Sequence, residues 1–428
     1  MLSPSSRAWY RNIDWWIIAA WVGLFTIGIV AIYSTTQGRS TEFLFEQVQE
    51  SVDRQLMWFG AAAFAMAVVL LTPAAYIDKL AFVAYGFTIA LLVIQSAMVV
   101  AGIAVEVNGG YRWLVLGPVR IQVGEVAKVG ALLAAAKVLS LPKARAGDWR
   151  YIIGAMLTLV LPAILIVHQN DTGTALVYLV LIPVLLFWSG TVPLWLIGLM
   201  LAPALAGYFA IVNMTWALIF GLIVVVAMMV FTRSWWRTAL AAGATFGVSL
   251  MMSFFVSSVL LPHQRGRIVA FLEPEAYAST LGYHVLQVRA AIGSGGLFGQ
   301  GFMQGTQTQL AFIPEQSTDF IFSVIGEEWG FLGGALVFAL FGLLLIRLAR
   351  LSAASNYALP KLFCAGAAGL YMFHFIINIG MNVGLVPVIG LPLPFLSYGG
   401  SALLAHSVLL GIALNLYARR GELGIYSS

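Results

Sequence analysis

The sequence predicts an all-α fold, a polytopic helical membrane protein with about 10–12 transmembrane helices and one long external loop. Three observations predict it. Of 428 residues, 61% are hydrophobic and 9% charged, with a mean hydropathy of +0.94, whereas a soluble chain is roughly a quarter charged. The apolar residues fall in separate runs of about twenty, the length that crosses a hydrocarbon core at about 1.5 Å per residue. The longest stretch between runs, Leu261 to Ser317, leaves no room for a separate soluble catalytic domain. Residues 1–428 therefore read as a single integral membrane domain, with any chemistry at the membrane surface.

Taken in order, the runs predict spans at 14–34, 57–73, 79–104, 121–140, 151–168, 171–189, 192–212, 214–231, 238–261, 318–346, 361–385 and 399–418. The first is longer than a signal-peptide core and is followed by no small-residue cleavage site, so it reads as a retained helix. With the N-terminus placed inside, 14 of the 22 Lys+Arg fall on cytoplasmic segments and seven outside. By the positive-inside rule both termini are cytoplasmic and 261–317 is external. The net charge of +5 is scattered over short loops without a basic block, which argues against nucleic acid as a partner. Cys364 stands alone in an apolar run, excluding a disulfide framework and a cysteine metal cluster. Glu42, Glu46, Glu50 and Asp53 form either a short acidic amphipathic helix or a solvated loop.

Within 121–140, Gln122, Glu125 and Lys128 recur every three residues as a polar stripe. A charge at the bilayer centre costs about 2.5–3.5 kcal/mol, so it faces a cavity or a partner. The stripe points to a water-filled cavity open to the outside, near Arg112 and Arg120; the competing reading is a self-satisfying Glu125–Lys128 pair. Asp171, between two runs and before Thr172-Gly173-Thr174, either caps the next helix or lines the active site.

The 261–317 stretch holds His263, Arg265, Arg267, His284, Gln287 and Arg289. Guanidinium forks match phosphate oxygens, so Arg265, Arg267 and Arg289 suit a diphosphate, with lipid headgroups as the rival ligand. The glycine-rich Gly293 to Gly301 lacks a P-loop ending and dinucleotide spacing, and reads as tight turns. Thr318 and Asp319 stand where a helix emerges, as caps or as catalytic groups. The Pro/Gly-broken stretch from Gly384 to Ser401, which includes Ser397, is tolerated at membrane depth only where it is buried or lines a cavity.

These residues resemble the shape, elongation, division and sporulation (SEDS) family, which includes RodA and FtsW. The matching elements are Tyr111-Arg112-Trp113 leading to Gln122-x-x-Glu125-x-x-Lys128, Asp171-x-Gly173-Thr174-Ala175, Arg267 before Phe271-Leu272-x-Pro274, and Gly293-Ser294-Gly295-Gly296. Pro314-Glu315-x-x-Thr318-Asp319-Phe320-Ile321-Phe322 and Pro392-Leu393-Pro394-x-x-Ser397-Tyr398-Gly399-Gly400-Ser401 complete the set. The stretch Gly305 to Leu310 looks more like the RodA branch. Departures are Val123-Gly124 where the family has Pro-Ser, Ser317 where it has His, and twelve spans where such relatives have ten, which suggests an inserted helix pair within 189–236.

The resemblance implies a peptidoglycan glycosyltransferase of the bacterial cytoplasmic (inner) membrane. It would polymerise lipid II at the outer face during cell elongation, with a class B penicillin-binding protein transpeptidase and other elongation-complex membrane proteins as partners. It implies Asp319 as general base and Arg265 and Arg267 as diphosphate anchors, with a divalent cation such as Mg or Mn as a candidate cofactor. Gln122, Glu125, Lys128, Arg112, Asp171, Gln287 and Ser397 join them as substrate-binding candidates. Rival readings are a flippase for the lipid-linked precursor, a division-type polymerase like FtsW, and an inactive scaffold. Charged groups concentrated at the outer face favour chemistry there over transport.

Overall fold

The computed structural model describes residues 9–36, 51–107, 109–117, 119–258, 266, 268–269, 271–277 and 281–423. In chain order the elements begin with α1 (Trp15–Thr36), α2 (Ser51–Leu71) and α3 (Ala74–Val100). A hairpin of β1 (Trp113–Leu116) and β2 (Val119–Gln122) leads into α4 (Val123–Ser140) and the short α5 (Pro142–Arg145). Next come α6 (Trp149–His168), α7 (Thr172–Ser189), α8 (Leu194–Val212), α9 (Met214–Thr232) and α10 (Trp235–Ser258). The chain closes with α11 (Leu281–Ser294), α12 (Thr306–Gln309), α13 (Ile321–Glu328), α14 (Gly330–Ala354), α15 (Ala358–Val383), α16 (Gly400–Ala418) and α17 (Arg420–Leu423).

This is a polytopic helical membrane protein. Among the described residues, 10 helices are long and apolar enough to cross a membrane. Two further long helices, α4 and α10, fall on the other predicted spans; α4 carries Glu125, Lys128 and Lys137. Several polar groups inside the helices find protein partners, as lipid offers none. Asn415 Nδ2 donates to Val69 and Thr72 carbonyls at 2.8 and 2.7 Å, securing the end of α2. Lys137 pairs with Asp78 of α3, and Arg347 Nη2 reaches Asp14 Oδ2 at 2.7 Å.

The chain forms two compact units, 190–286 with 386–388, and the remainder. In the smaller, α8, α9 and α10 pack on one another. Asn213 turns α8 into α9, its Oδ1 accepting from Thr215 N at 2.8 Å as an N-cap. In the larger, α15 packs against α4, α7, α14 and α16, and the broken backbone after α15 is received by glycines. A Cβ at Gly28 would lie 2.5 Å from Leu396 O, and one at Gly173 2.5 Å from Ile389 O.

Three expectations need correction. The stripe 121–140 is not all helix: β1 pairs antiparallel with β2, Trp113 opposite Gln122, and α4 starts only at Val123. Gly117 at φ 61° supplies the tight turn that joins the strands. The span 318–346 is instead α13 followed by α14, interrupted at Trp329–Gly330. Gly330 sits at φ 65°, where a Cβ would stand 2.3 Å from Gly299 N, so close backbone contact breaks the apolar run. The stretch 261–317 is not simply a loop, because it contains α11 and α12. Its glycine-rich turn folds onto α13, with Gln300 N donating to Glu327 O at 2.9 Å and Phe331 N to Gly296 O at 2.9 Å. Arg265 and Arg267 lie outside the described residues, as do Glu42, Glu46 and Glu50; Asp53 is in the first turn of α2.

Candidate active site

Asp319 lies half-buried in the turn that precedes α13, and main-chain contacts fix that turn. The Asp319 carbonyl accepts from Asn378 Nδ2 at 2.9 Å and from Asn382 Nδ2 at 3.3 Å. Thr318 O accepts from Ser397 Oγ at 2.6 Å, and Ser317 O from Tyr398 N at 2.8 Å. Ser397 Oγ in turn accepts from Leu393 N at 2.8 Å. Ser397 thus ties the Asp319 turn to the Pro/Gly-broken segment.

The Asp319 carboxylate faces Gly390. A Cβ there would stand 3.4 Å from Asp319 Oδ2 and 3.7 Å from Arg112 Nη1, so carboxylate and guanidinium border the same small space. Gly390 adopts φ 70°, a conformation that costs any residue with a Cβ. Arg112 is positioned by its neighbours: Tyr111 N donates to Gln169 O at 2.9 Å, and Gln95 Nε2 to Tyr111 O at 2.8 Å. Its Nε is buried and has no hydrogen-bond partner among the described residues. A cationic fork with an unused donor beside a carboxylate is suited to an anionic ligand.

Deeper in the bundle, Lys128 Nζ donates to Glu125 Oε1 at 2.6 Å and lies 3.0 Å from His374 Nε2. Glu125 Oε2 lies 3.2 Å from His406 Nε2. His374 Nδ1 is 3.1 Å from Pro392 O; a carbonyl only accepts, so Nδ1 donates and Nε2 accepts from Lys128. Glu125 and Lys128 are each 1% accessible. Glu125 and Lys128 therefore form a buried pair flanked by two histidines, with Glu125 Oε2 and His406 Nε2 facing each other without a hydrogen bond, and the expected open water-filled cavity is not what surrounds it.

Gln122 ends β2, and its Nε2 donates to Asp171 Oδ2 at 3.3 Å. Asp171 Oδ1 accepts from Thr174 N at 3.2 Å and Oδ2 from Thr174 Oγ1 at 2.9 Å, so of its two readings the helix cap is the one built. Gln287 is half-buried on α11, and among the described residues no hydrogen bond joins it to Asp319 or Arg112. Arg289, also on α11, donates from Nη2 to Gly384 O at 3.0 Å.

A family model described as "Cell cycle protein", covering FtsW, RodA and SpoVE, matches residues 14–218 and 212–421. The chain belongs to the FtsW/RodA/SpoVE family. It is similar to peptidoglycan glycosyltransferase RodA of Treponema pallidum (strain Nichols), at 31% identity over 96% of this chain and 98% of that protein. Peptidoglycan glycosyltransferase MrdB of Escherichia coli (strain K12) is 31% identical over 83% of this chain and 84% of its own. A probable peptidoglycan glycosyltransferase FtsW of Dichelobacter nodosus (strain VCS1703A) is 28% identical over 97% of this chain and 93% of its own. A solved chain from work on the structural coordination of polymerization and crosslinking by a peptidoglycan synthase complex aligns with TM-score 0.68 and 29% identity, covering 97% of this chain and 99% of that one. The crystal structure of Thermus thermophilus RodA aligns with TM-score 0.59 and 27% identity, covering 95% and 96%.

Several polar residues of this FtsW/RodA/SpoVE chain escaped the sequence reading. His374, His406, Asn378 and Asn382 lie within apolar runs, and two signals mark them: histidine at membrane depth, and a recurrence every four residues at 374, 378 and 382. Glu327, 0% accessible, accepts from Gln307 N at 2.7 Å and Thr308 N at 3.0 Å. Its carboxylate satisfies the free N–H groups that open α12.

Proposed function

We propose that this chain, a peptidoglycan glycosyltransferase by family, polymerises lipid II at the outer face of the bacterial cytoplasmic membrane, with Asp319 as general base. A sugar hydroxyl gives its proton to the Asp319 carboxylate and attacks the anomeric carbon of a lipid-diphosphate-linked sugar. A new C–O glycosidic bond forms, the bond from that carbon to the phosphate oxygen breaks, and its electron pair leaves with the diphosphate. The base removes the proton, and a cation must meet the leaving charge. The observation that carries this reading is the convergence of the Asp319 carboxylate and the Arg112 guanidinium at Gly390. Arg265 and Arg267 are proposed as further diphosphate anchors. Among the described residues no group of three or more His, Cys, Asp or Glu is placed to hold a metal. A divalent cation such as Mg or Mn, where bound, would help neutralise the charge of the departing diphosphate.

An elongation role is supported by the RodA-named relatives, and a transpeptidase partner of the class B penicillin-binding type by the synthase complex in which polymerization and crosslinking are coordinated. Labelled lipid II incubated with the purified chain, alone and with that transpeptidase, tests the reading. Strands on a gel are expected; movement of lipid II across vesicles without strands would favour a flippase. Orientation has its own test. Cys364 is buried and Leu310 is 49% exposed, so a Leu310→Cys variant should label from outside intact cells; labelling only after permeabilisation reverses the orientation.

A further inference from the structure

On α15, His374, Asn378 and Asn382 are spaced four residues apart, and each is 0% accessible. That spacing puts them on one helix face. All three reach backbone outside regular secondary structure. His374 Nδ1 meets Pro392 O at 3.1 Å. Asn378 Nδ2 donates to both Asp319 O at 2.9 Å and Leu391 O at 2.8 Å. Asn382 Nδ2 lies 3.3 Å from Asp319 O and 2.9 Å from Asn378 O, while its Oδ1 accepts from Ser323 N at 3.2 Å. One end of the row is anchored at Lys128 through His374 Nε2, and the other at the first turn of α13.

The two N–H groups of the Asn378 amide therefore hold the two sides of one space. One binds the residue whose carboxylate faces Gly390, and the other binds Leu391, the residue after Gly390. Since an amide is rigid and planar, the distance between its two acceptors sets the gap between the Asp319 turn and the Gly390 backbone. Leucine would fill the same volume without desolvating a polar group, so what the amide contributes is placement.

We propose that His374, Asn378 and Asn382 form a positioning ladder that sets the Asp319 carboxylate against Gly390 and Arg112, with Asn378 as the rung that fixes the gap. This rests on the reading of Asp319 as the base. The three act through the Asp319 and Leu391 backbone, so they are positioning residues. Misplacing a reacting group by about 1 Å costs on the order of a hundredfold in rate. Asn378→Leu should accordingly lower kcat for lipid II polymerisation about ten- to a hundredfold and leave KM unchanged.

The experiment takes the full-length chain in lipid nanodiscs with its transpeptidase, as wild type, Asn378→Leu and Asn382→Leu. It measures kcat, KM and hydrogen exchange over 315–323 and 389–393. The ladder predicts lower kcat at constant KM, with faster exchange confined to those two segments. Full kcat in a folded variant, or exchange rising equally in every helix, overturns it. If Asn378→Leu does not fold, Asn382→Leu, which removes one of the two donors to Asp319 O, carries the same test. If the wild type makes no polymer, the functional reading fails by itself. Exchange then still decides the ladder: a local rise at both segments upholds the clamp, and no rise there removes it.

Discussion

Two carboxylates of the larger unit are held in opposite ways. Glu125 is held by its side chain, sealed at 1% accessibility between Lys128 and His406. Asp319 is held by its backbone: its carbonyl takes two asparagine amides while its carboxylate borders the space at Gly390 with Arg112. A buried, paired carboxylate is committed to its partners, since removing one leaves an uncompensated charge. A half-buried carboxylate whose main chain is fixed from behind can exchange a proton with a substrate that enters beside it. Rigidity at Asp319 comes from the main chain, which is what a base needs if its side chain is to do chemistry.

The largest effect is expected at Lys128. Lys128→Met leaves Glu125 buried without its cation and should cost about 3–5 kcal/mol of stability, read as a large fall in thermal midpoint and folded yield; an unchanged midpoint would mean the pair is not structural. Arg112→Ala should spare the midpoint and weaken lipid II binding by about ten- to a hundredfold, the worth of a charge-assisted contact of about 1.5–3 kcal/mol. Equal lipid II binding by wild type and variant would remove Arg112 from the site. Asp171→Ala should cost only about 1 kcal/mol, the worth of a cap, with rate per folded molecule unaltered. A rate loss beyond the loss of folded protein would return Asp171 to the active-site lining.

Sequence alone carried the architecture because hydrocarbon thickness imposes run length, and each predicted span coincides with a long helix except where close backbone contact intervenes. Hydropathy averages over a window, so it passed through Glu327, Glu328 and Gly330 and missed the break between α13 and α14. The Glu125–Lys128 pair was legible because its members are three residues apart. His374 and His406 were not, because they come from helices 246 and 281 residues further on than Lys128 and Glu125 respectively. Asp319 was visible from its motif, whereas the clamp by Asn378 depends on a bend in backbone that no local pattern specifies. The β-hairpin before α4 was hidden in the same way, since its strands are too short and apolar to stand out beside a span.

On the proposed division of roles Asp319 serves chemistry and Glu125 serves the fold, and one pair of variants separates the two. Asp319→Asn and Glu125→Gln are reconstituted with the transpeptidase, and polymerisation rate per folded molecule is followed beside the thermal midpoint. Asp319→Asn should keep a near wild-type midpoint and lose about 10²–10⁴ in rate, the contribution of a general base. Glu125→Gln should lower the midpoint and lose less than about one decade, or 1.36 kcal/mol of barrier. Strand synthesis by Asp319→Asn at near wild-type rate, with Glu125→Gln inactive though folded, would contradict that division and reverse the two roles.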